Sequence, residues 1–320
     1  MTNPVFPDVR MNIVRAADPV TARVVSNELC MRGKSASFVK HLVLDIGDTP
    51  LQGAFRAGQS FGVLAPGEDA QGKPHKVRLY SIACPTWGED GEARLISTTP
   101  KRLIDEFSPQ TETDDPDDHH LFLGACSNYL CDLKAGDEVR LTGPNGKRFL
   151  LPADPDAHDY LLLATGTGIA PFRGMMLELL TRPQGPCRSR IDLVMGAPYA
   201  TDLLYDDLFR RLAEEHDNFN YHTAVSREST DGGRGLYVDD LLRRRLDAFR
   251  PLLGGDRTLI YVCGLTGMRI SLYRLLVEEG LADGYLTVDA SLHDVDPGRW
   301  SAVDVRRGIK HSDRCLIEVY

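Results

Sequence analysis

Tyr160-Leu161-Leu162-Leu163-Ala164-Thr165-Gly166-Thr167-Gly168-Ile169-Ala170-Pro171-Phe172-Arg173-Gly174 lies at the middle of a 320-residue chain and decides its fold. An apolar run enters Thr165-Gly166-Thr167-Gly168, and an apolar-periodic segment follows from Phe172 to Leu180. That order spells a buried strand, a tight glycine turn and the start of a helix. Glycines let backbone approach a ligand closely, and a helix N-terminus offers free N–H groups and a positive dipole end to a phosphate. The spacing departs from Gly-x-Gly-x-x-Gly, because Pro171 stands three after Gly168, and no Gly-Lys-Ser/Thr follows to make a P-loop. Taken alone, the stretch is either a nucleotide-binding turn or a plain turn between sheet and helix.

Downstream, the pattern alternates. Short apolar strands are expected at Ile191 to Gly196, Tyr221 to Val225 and Leu259 to Gly264. Helical stretches separate or follow them at Asp206 to Glu215, Val238 to Phe249 and Met268 to Glu278. Such alternation marks a doubly wound parallel sheet, which binds ligands at the carboxyl ends of its strands, where the Gly166, Gly196 and Gly264 turns fall. Upstream the texture differs. Arg23 to Asn27, Phe38 to Leu44, Phe61 to Gly67, Val77 to Ala83, Arg94 to Thr99 and Glu138 to Pro144 read as strands broken by Gly and Pro. This spacing predicts a six-stranded antiparallel barrel, with one short helix at Lys101 to Phe107. The expected organisation is an N-terminal arm over 1–21, a β-barrel domain over 22–152 and an α/β domain over 153–320.

Composition narrows the class. The chain is 42% hydrophobic and 26% charged, with 29 Gly and 19 Pro, as in a globular protein rich in turns. A formal charge of −9 and the lack of a long basic run argue against nucleic-acid binding. The acidic run Glu112 to Asp118 reads as a solvated insertion. Seven cysteines make no even framework, and Cys126 and Cys131 have no second pair nearby to complete a metal or iron–sulfur ligand set. Reduced thiols point to the cytoplasm. No run reaches the length of a membrane span, and the N-terminus, with Asp8 and Asp18 and no apolar core, resembles neither a signal nor a transit peptide.

Arg78-Leu79-Tyr80-Ser81 is the first run specific enough to suggest a family. An Arg-x-Tyr-Ser strand ahead of a Gly-Thr-Gly-x-x-Pro loop resembles the ferredoxin–NADP⁺ reductase superfamily of flavoproteins. Further segments resemble its plant-type branch. They are Cys126 to Leu133, Gly143 to Lys147, Leu203-Leu204-Tyr205, Ala224 to Glu228, Tyr261 to Met268 and the closing Glu318-Val319-Tyr320. They keep the family's order and cover Ala22 to Tyr320.

The resemblance implies an FAD-binding barrel and an NADP-binding α/β domain. Arg78 would pair with the FAD pyrophosphate, a contact suited to a guanidinium. Tyr80 would stack on the flavin, and Ser81 would set its hydroxyl by the atom that exchanges hydride. Thr99, Lys101, Ala125, Cys126, Ser127, Thr167 and Tyr320 complete the implied FAD set, with the amides at Cys126 and Ser127 facing phosphate. For NADP(H) the resemblance implies Thr167, Ser226, Arg227, Arg234, Tyr237, Gly264 and Leu265, the cations and hydroxyls taking the 2′-phosphate. Cys263 would position the nicotinamide, and Glu318 would relay protons or bond toward Ser81. Tyr320 would lie over the flavin face where nicotinamide must stack, and so would have to move.

Three features depart from the pattern. The family's aromatic cover for the FAD adenine follows its Lys-Arg-Leu run closely, whereas Lys101-Arg102-Leu103 continues Ile104-Asp105-Glu106, leaving Phe107 as the candidate. The acidic loop lengthens this region. A segment over 298–314, with Trp300, Arg306, Arg307, Lys310, His311 and Arg314, reads as an insertion: either a surface loop or a docking face for an acidic electron carrier. The implied activity is hydride exchange between NADP(H) and FAD, with single electrons passing to or from a separate ferredoxin or flavodoxin. The alternatives are the reductase component of an oxygenase, similar to those of benzoyl-CoA epoxidase systems, and a non-catalytic FAD-bearing subunit.

Overall fold

The chain is described from a computed structural model over residues 3–33, 35, 37–106, 120–228 and 235–320. Its first half is built by alternation. In β1 (Val20–Leu29), Ala22 and Val24 turn inward while Thr21 and Arg23 face out, as a pleated strand with one covered face requires. After it come β2 (Lys40–Asp45), β3 (Ser60–Leu64), β4 (Arg78–Ser81), β5 (Leu95–Thr98), the short β6 (Ile104–Glu106) and β7 (Leu121–Leu123), helix α1 (Ala125–Asp132) and β8 (Glu138–Asn145). Six of these strands form an antiparallel sheet in the order β4-β3-β8-β1-β2-β5. The two edges meet: Ala83 N donates to Ser97 O at 2.8 Å, and Thr98 Oγ1 donates to Ser81 O at 2.8 Å. That contact curls the sheet into the expected barrel around Leu42, Leu44, Phe61, Val63 and Leu141.

The helix expected at Lys101 to Phe107 does not form. Lys101 bridges Val39, Arg102 N donates to Phe38 O at 2.8 Å, and β6 pairs with β7 from Ile104↔Leu123 to Glu106↔Leu121. Strand partners have taken the backbone groups that a helix would need, so tertiary pairing overrides local propensity. Phe107 and the acidic run Glu112 to Asp118 lie outside the described residues.

The second half alternates strand and helix: β9 (Asp159–Thr165), α2 (Ile169–Thr181), β10 (Ile191–Ala197), α3 (Asp206–Glu215), β11 (Phe219–Val225), α4 (Val238–Arg244), α5 (Leu246–Leu253), β12 (Thr258–Gly264), α6 (Thr266–Glu278), β13 (Leu286–Val288), α7 (Ala302–Gly308), β14 (Ile309–His311) and β15 (Cys315–Val319). Five strands make a parallel sheet in the order β11-β10-β9-β12-β15. Along β9, Tyr160, Leu162 and Ala164 feed one core with α2 and α3, and Leu161 and Leu163 feed the other with α4, α5 and α6. A continuous apolar run is therefore what a strand covered on both faces demands.

Two expectations change here. The helix read over Val238 to Phe249 breaks at Arg245, whose backbone leaves the helical region and whose guanidinium reaches His222 Nδ1 at 2.9 Å. The break lets Phe249, Leu252 and Leu253 turn onto the sheet beside Leu161 and Ile260. The 298–314 segment is no loose surface loop. Trp300 is buried, β14 pairs with β13, and buried Arg314 donates to Gly255 O at 2.6 Å and Thr258 O at 3.1 Å. Arg306, Arg307, Lys310 and His311 are exposed, but Arg314 staples the core. The N-terminal arm lies along the barrel, with Val14 N donating to Gly143 O at 3.0 Å and Ala153 N to Val5 O at 2.8 Å. Among the described residues, no helix is long and apolar enough to cross a membrane.

Candidate active site

The opening stretch ends in a contact between two strand ends. A Cβ on Gly168 would lie 2.1 Å from the carbonyl oxygen of Cys263, and one on Gly264 would lie 2.1 Å from Thr165 Oγ1. Gly264 also holds φ at 137°, a region closed to most side chains. The two glycines thus let the β9 and β12 turns touch, and Leu265 N donates to Thr165 Oγ1 at 2.9 Å across the contact. The turn leaves Thr167 facing the end of the chain, where its Oγ1 lies 2.9 Å from the Tyr320 hydroxyl.

Tyr320 is held by its backbone, and beyond the Thr167 contact its ring is open to the cleft. Its N–H donates to Gly264 O at 3.0 Å, and its carbonyl oxygen accepts from Thr266 N, at the start of α6, at 3.2 Å. The side chain is nevertheless 64% exposed, and it looks into the space between barrel and sheet. Cys263 and Glu318 stand side by side as a β12–β15 pair. Burial raises the Glu318 carboxyl to about 7, and burial, then the Glu318 charge, raises the Cys263 thiol far above its usual range. At neutral pH, Cys263 is a thiol and not a nucleophilic thiolate.

The facing wall comes from the barrel. Ser81 ends β4 opposite Ser60, and Thr98, Thr99 and Lys101 continue from β5. Thr99 Oγ1 lies 2.6 Å from the Tyr205 hydroxyl. Between the walls runs a cleft of ≈770 Å³. It gathers Tyr80, Ser81, Thr99 and Lys101 from the barrel, and Thr167, Cys263, Glu318 and Tyr320 from the α/β side. These eight come from five separate stretches of sequence.

The remaining sequence-derived residues lie beside the cleft or beyond it. Arg78 is exposed on the same strand as Tyr80. Burial, and then the nearby Cys126 thiol in the first turn of α1, raise the Tyr80 phenol. The Ser127 hydroxyl has local work: it accepts from Leu103 N at 3.2 Å and donates to Gly124 O at 3.3 Å, anchoring the β6–β7 hairpin. Ser226 and Arg227 follow β11, with Arg227 exposed, and Tyr237, 53% exposed, caps α4 nearby in the chain. Gly264 and Leu265 form the β12 turn, and Arg234 lies outside the described residues.

Two ionisable cleft residues were not among the site residues read from the sequence, although His311 was noted in the basic 298–314 segment. Arg269, in the first helical turns of α6, and His311, at the end of β14, both line the space near Glu318. The buried Nε of Arg269 has no hydrogen-bond partner. No local pattern marks either residue, because the pairing of β13 with β14 brings His311 there.

A glycine turn against an exposed aromatic ring, a buried thiol and a carboxyl titrating near neutrality, all between a barrel and a parallel sheet, define a two-unit oxidoreductase site. Residues 162–272 match the family model for an oxidoreductase NAD-binding domain. The chain is 35% identical over 318 residues to the ferredoxin–NADP reductase of Spirulina sp, covering 98% of this chain and 99% of that one. It is 35% identical over 315 residues to the chloroplastic leaf isozyme 1 of Arabidopsis thaliana, covering 97% and 79%. The solved ferredoxin–NADP⁺ reductase of Plasmodium falciparum with 2′P-AMP shares the fold at a TM-score of 0.69 and 20% identity, over 99% of this chain and 100% of that chain. The chain belongs to the ferredoxin–NADP reductase family.

Proposed function

We propose that Ser81, Cys263, Glu318 and Tyr320 carry out the family's reaction in this chain: hydride exchange between NADP(H) and FAD, coupled to single-electron exchange with a separate ferredoxin or flavodoxin. The observation that carries the assignment is the cleft itself, which sets Ser81 on the barrel wall and Cys263, Glu318 and Tyr320 on the α/β wall. The residues fit a flavin. The cleft has the size of a cofactor site, and an exposed Tyr320 ring offers an aromatic face that a planar group would cover. When bound, the flavin would supply the link between an obligate two-electron donor and a one-electron carrier.

The chain's own groups orient and protonate. Arg78 and the first amides of α1 suit the pyrophosphate, and Tyr80 and Lys101 the remainder of the FAD chain. Ser81 offers a hydroxyl at the barrel wall. Cys263, neutral and buried, would pack against the nicotinamide and set its approach. Glu318, with a carboxyl balanced near neutrality, gives or takes a proton in the cleft. Exposed Arg227 with Ser226 and Tyr237 forms the 2′-phosphate and adenine end, favouring NADPH over NADH. Residues 22–152 are the FAD-binding unit and 153–320 the NADP-binding unit, after the arm 1–21.

The relatives named above are ferredoxin–NADP reductases, and no observation favours an oxygenase as the recipient. Free thiols at all seven cysteines support a reducing compartment, and we take it to be the cytoplasm, although the named plant relative is chloroplastic. The direct test mixes the purified yellow protein with NADPH and a ferredoxin. Bleaching of the flavin followed by reduction of the ferredoxin is expected. A protein that NADPH fails to bleach would overturn the assignment.

A further inference from the structure

Tyr205 is the residue before α3, and its backbone sits at φ 58°, ψ 22°. Left-handed backbone is costly for a bulky side chain and persists only where the surroundings fix it. Those surroundings are a polar cluster joining the two walls of the cleft. The Tyr205 hydroxyl lies 2.6 Å from Thr99 Oγ1 and 2.8 Å from His41 Nδ1. Its ring meets the His41 ring edge-on at 5.6 Å and carries the Arg173 guanidinium 5.3 Å from its centre. Arg173 donates to both Glu89 oxygens, at 2.5 and 3.0 Å, and to Ala83 O at 2.8 Å. Glu89 also accepts from Ser97 Oγ at 2.6 Å and has His41 Nε2 at 3.5 Å.

Each of these groups belongs to a different part of the cleft's frame. Thr99 lines the cleft directly, and its neighbour Thr98 bonds the carbonyl of Ser81. Arg173 stands on α2, the helix that the Thr167 turn opens, and α2 touches the barrel so closely that a Cβ on Gly174 would lie 2.3 Å from Cys84 O. Burial pushes the Glu89 carboxyl up, but bonds from His41 and Arg173 outweigh it and hold the group down at about 2. The charge pair is therefore intact at working pH. Desolvation offsets much of a buried pair's attraction, and removing one partner leaves the other charge uncompensated.

We propose that Tyr205 is a positioning residue for hydride exchange, holding the Thr98–Thr99 edge of the barrel wall in register with the Thr167 turn through its hydroxyl and the Arg173–Glu89–His41 cluster. The inference rests on the cleft being the flavin and nicotinamide site. Tyr205 touches no reacting atom; it acts through Thr99. Hydride exchange depends steeply on donor–acceptor geometry, so a small loss of register reduces rate more than affinity.

The test compares Tyr205→Phe, Thr99→Val and the double variant as FAD-loaded proteins in single-turnover reduction by NADPH. Tyr205→Phe keeps the ring and the stacked Arg173. It should slow flavin reduction about tenfold, leave the NADPH Kd within about twofold, and weaken the long-wavelength absorbance of the nucleotide–flavin complex. Thr99→Val removes the same bond from the other side, and the double variant should be no slower than the slower single one. Additive losses, or wild-type rate and absorbance in Tyr205→Phe, would overturn the positioning role. If NADPH reduces the wild type and both single variants alike, this inference alone falls. If NADPH does not reduce the wild type, the functional reading falls with it.

Discussion

Thr167 Oγ1 and the Tyr320 hydroxyl stand 2.9 Å apart, so the glycine turn and the residue after the last strand are joined on the α/β wall of the cleft. The bond holds an aromatic ring in the cleft, where the proposed function puts the nicotinamide, while the Tyr320 backbone stays anchored to Gly264 and Thr266. On that proposal only the side chain has to swing. A ring that fills the site most of the time leaves a small binding-competent fraction, which lowers apparent affinity in proportion. Tyr320→Ser should therefore tighten NADP⁺ binding by at least about tenfold and slow its release. Titration followed by difference absorbance checks this; an unchanged Kd would remove the gate while leaving the family assignment in place.

Glu318 supplies a pH signature. Its carboxyl is raised by burial to about 7, above the ordinary glutamate value, so the folded protein keeps a proton that the unfolded chain gives up. The folded state binds more protons than the unfolded one across that interval, and stability falls as pH rises through it. Glu318→Gln removes the titration. Its Tm should match the wild type at acid pH and exceed it increasingly as pH approaches and passes 7. Parallel Tm curves for the two proteins would mean that Glu318 is solvated and ordinary.

Arg227 tests the nucleotide preference. Its guanidinium is exposed just past β11, and its own N–H is fixed to Pro198 O at 2.9 Å, so the side chain projects from a held backbone. A charge-assisted bond to phosphate contributes about 1.5–3 kcal/mol, which corresponds to a loss of about ten- to hundredfold on removal. Arg227→Ala should raise KM for NADPH by that factor and leave KM for NADH nearly unchanged. Equal losses with both nucleotides would place Arg227 at a feature they share.

Much of this architecture was legible because periodicity reports burial. The six barrel strands, α3 over Asp206–Glu215 and the strand–turn–helix at Thr165 follow from alternation and apolar runs that the cores of the two sheets require. The site was legible only through motifs, since Ser81, Thr167, Cys263 and Glu318 meet by topology and not by spacing. What stayed hidden is what depends on distant partners. Lys101 and Arg102 lose their helix to Val39 and Phe38, Arg314 is drawn inward by carbonyls at Gly255 and Thr258, and His311 reaches the cleft because β14 pairs with β13. Tyr205 was visible as part of a motif, but its strained backbone and its bond to Thr99 were not.

The hairpin that replaces the expected helix also changes how the adenine of FAD would be held. Asp105 stands near where the family places an aromatic residue, and the β6–β7 pairing sets Phe122 directly opposite it. Phe122 is 51% exposed, and the same hairpin is fastened to the α1 turn by the bond from Leu103 N to Ser127 Oγ. An aromatic ring beside the pyrophosphate end of the site can take the stacking role from the opposite strand. Loss of one base–aromatic stack costs about 1–3 kcal/mol, or roughly five- to 150-fold in affinity. Phe122→Ala should weaken FAD binding by that factor while leaving FMN, which lacks the adenine, within about twofold of wild type. Leu121→Ala, pointing to the other face of the same strand, serves as the control and should leave both affinities unchanged. Equal loss of FAD and FMN in Phe122→Ala would show damage to the hairpin and not a lost stack, and unchanged FAD binding would assign the adenine to another residue.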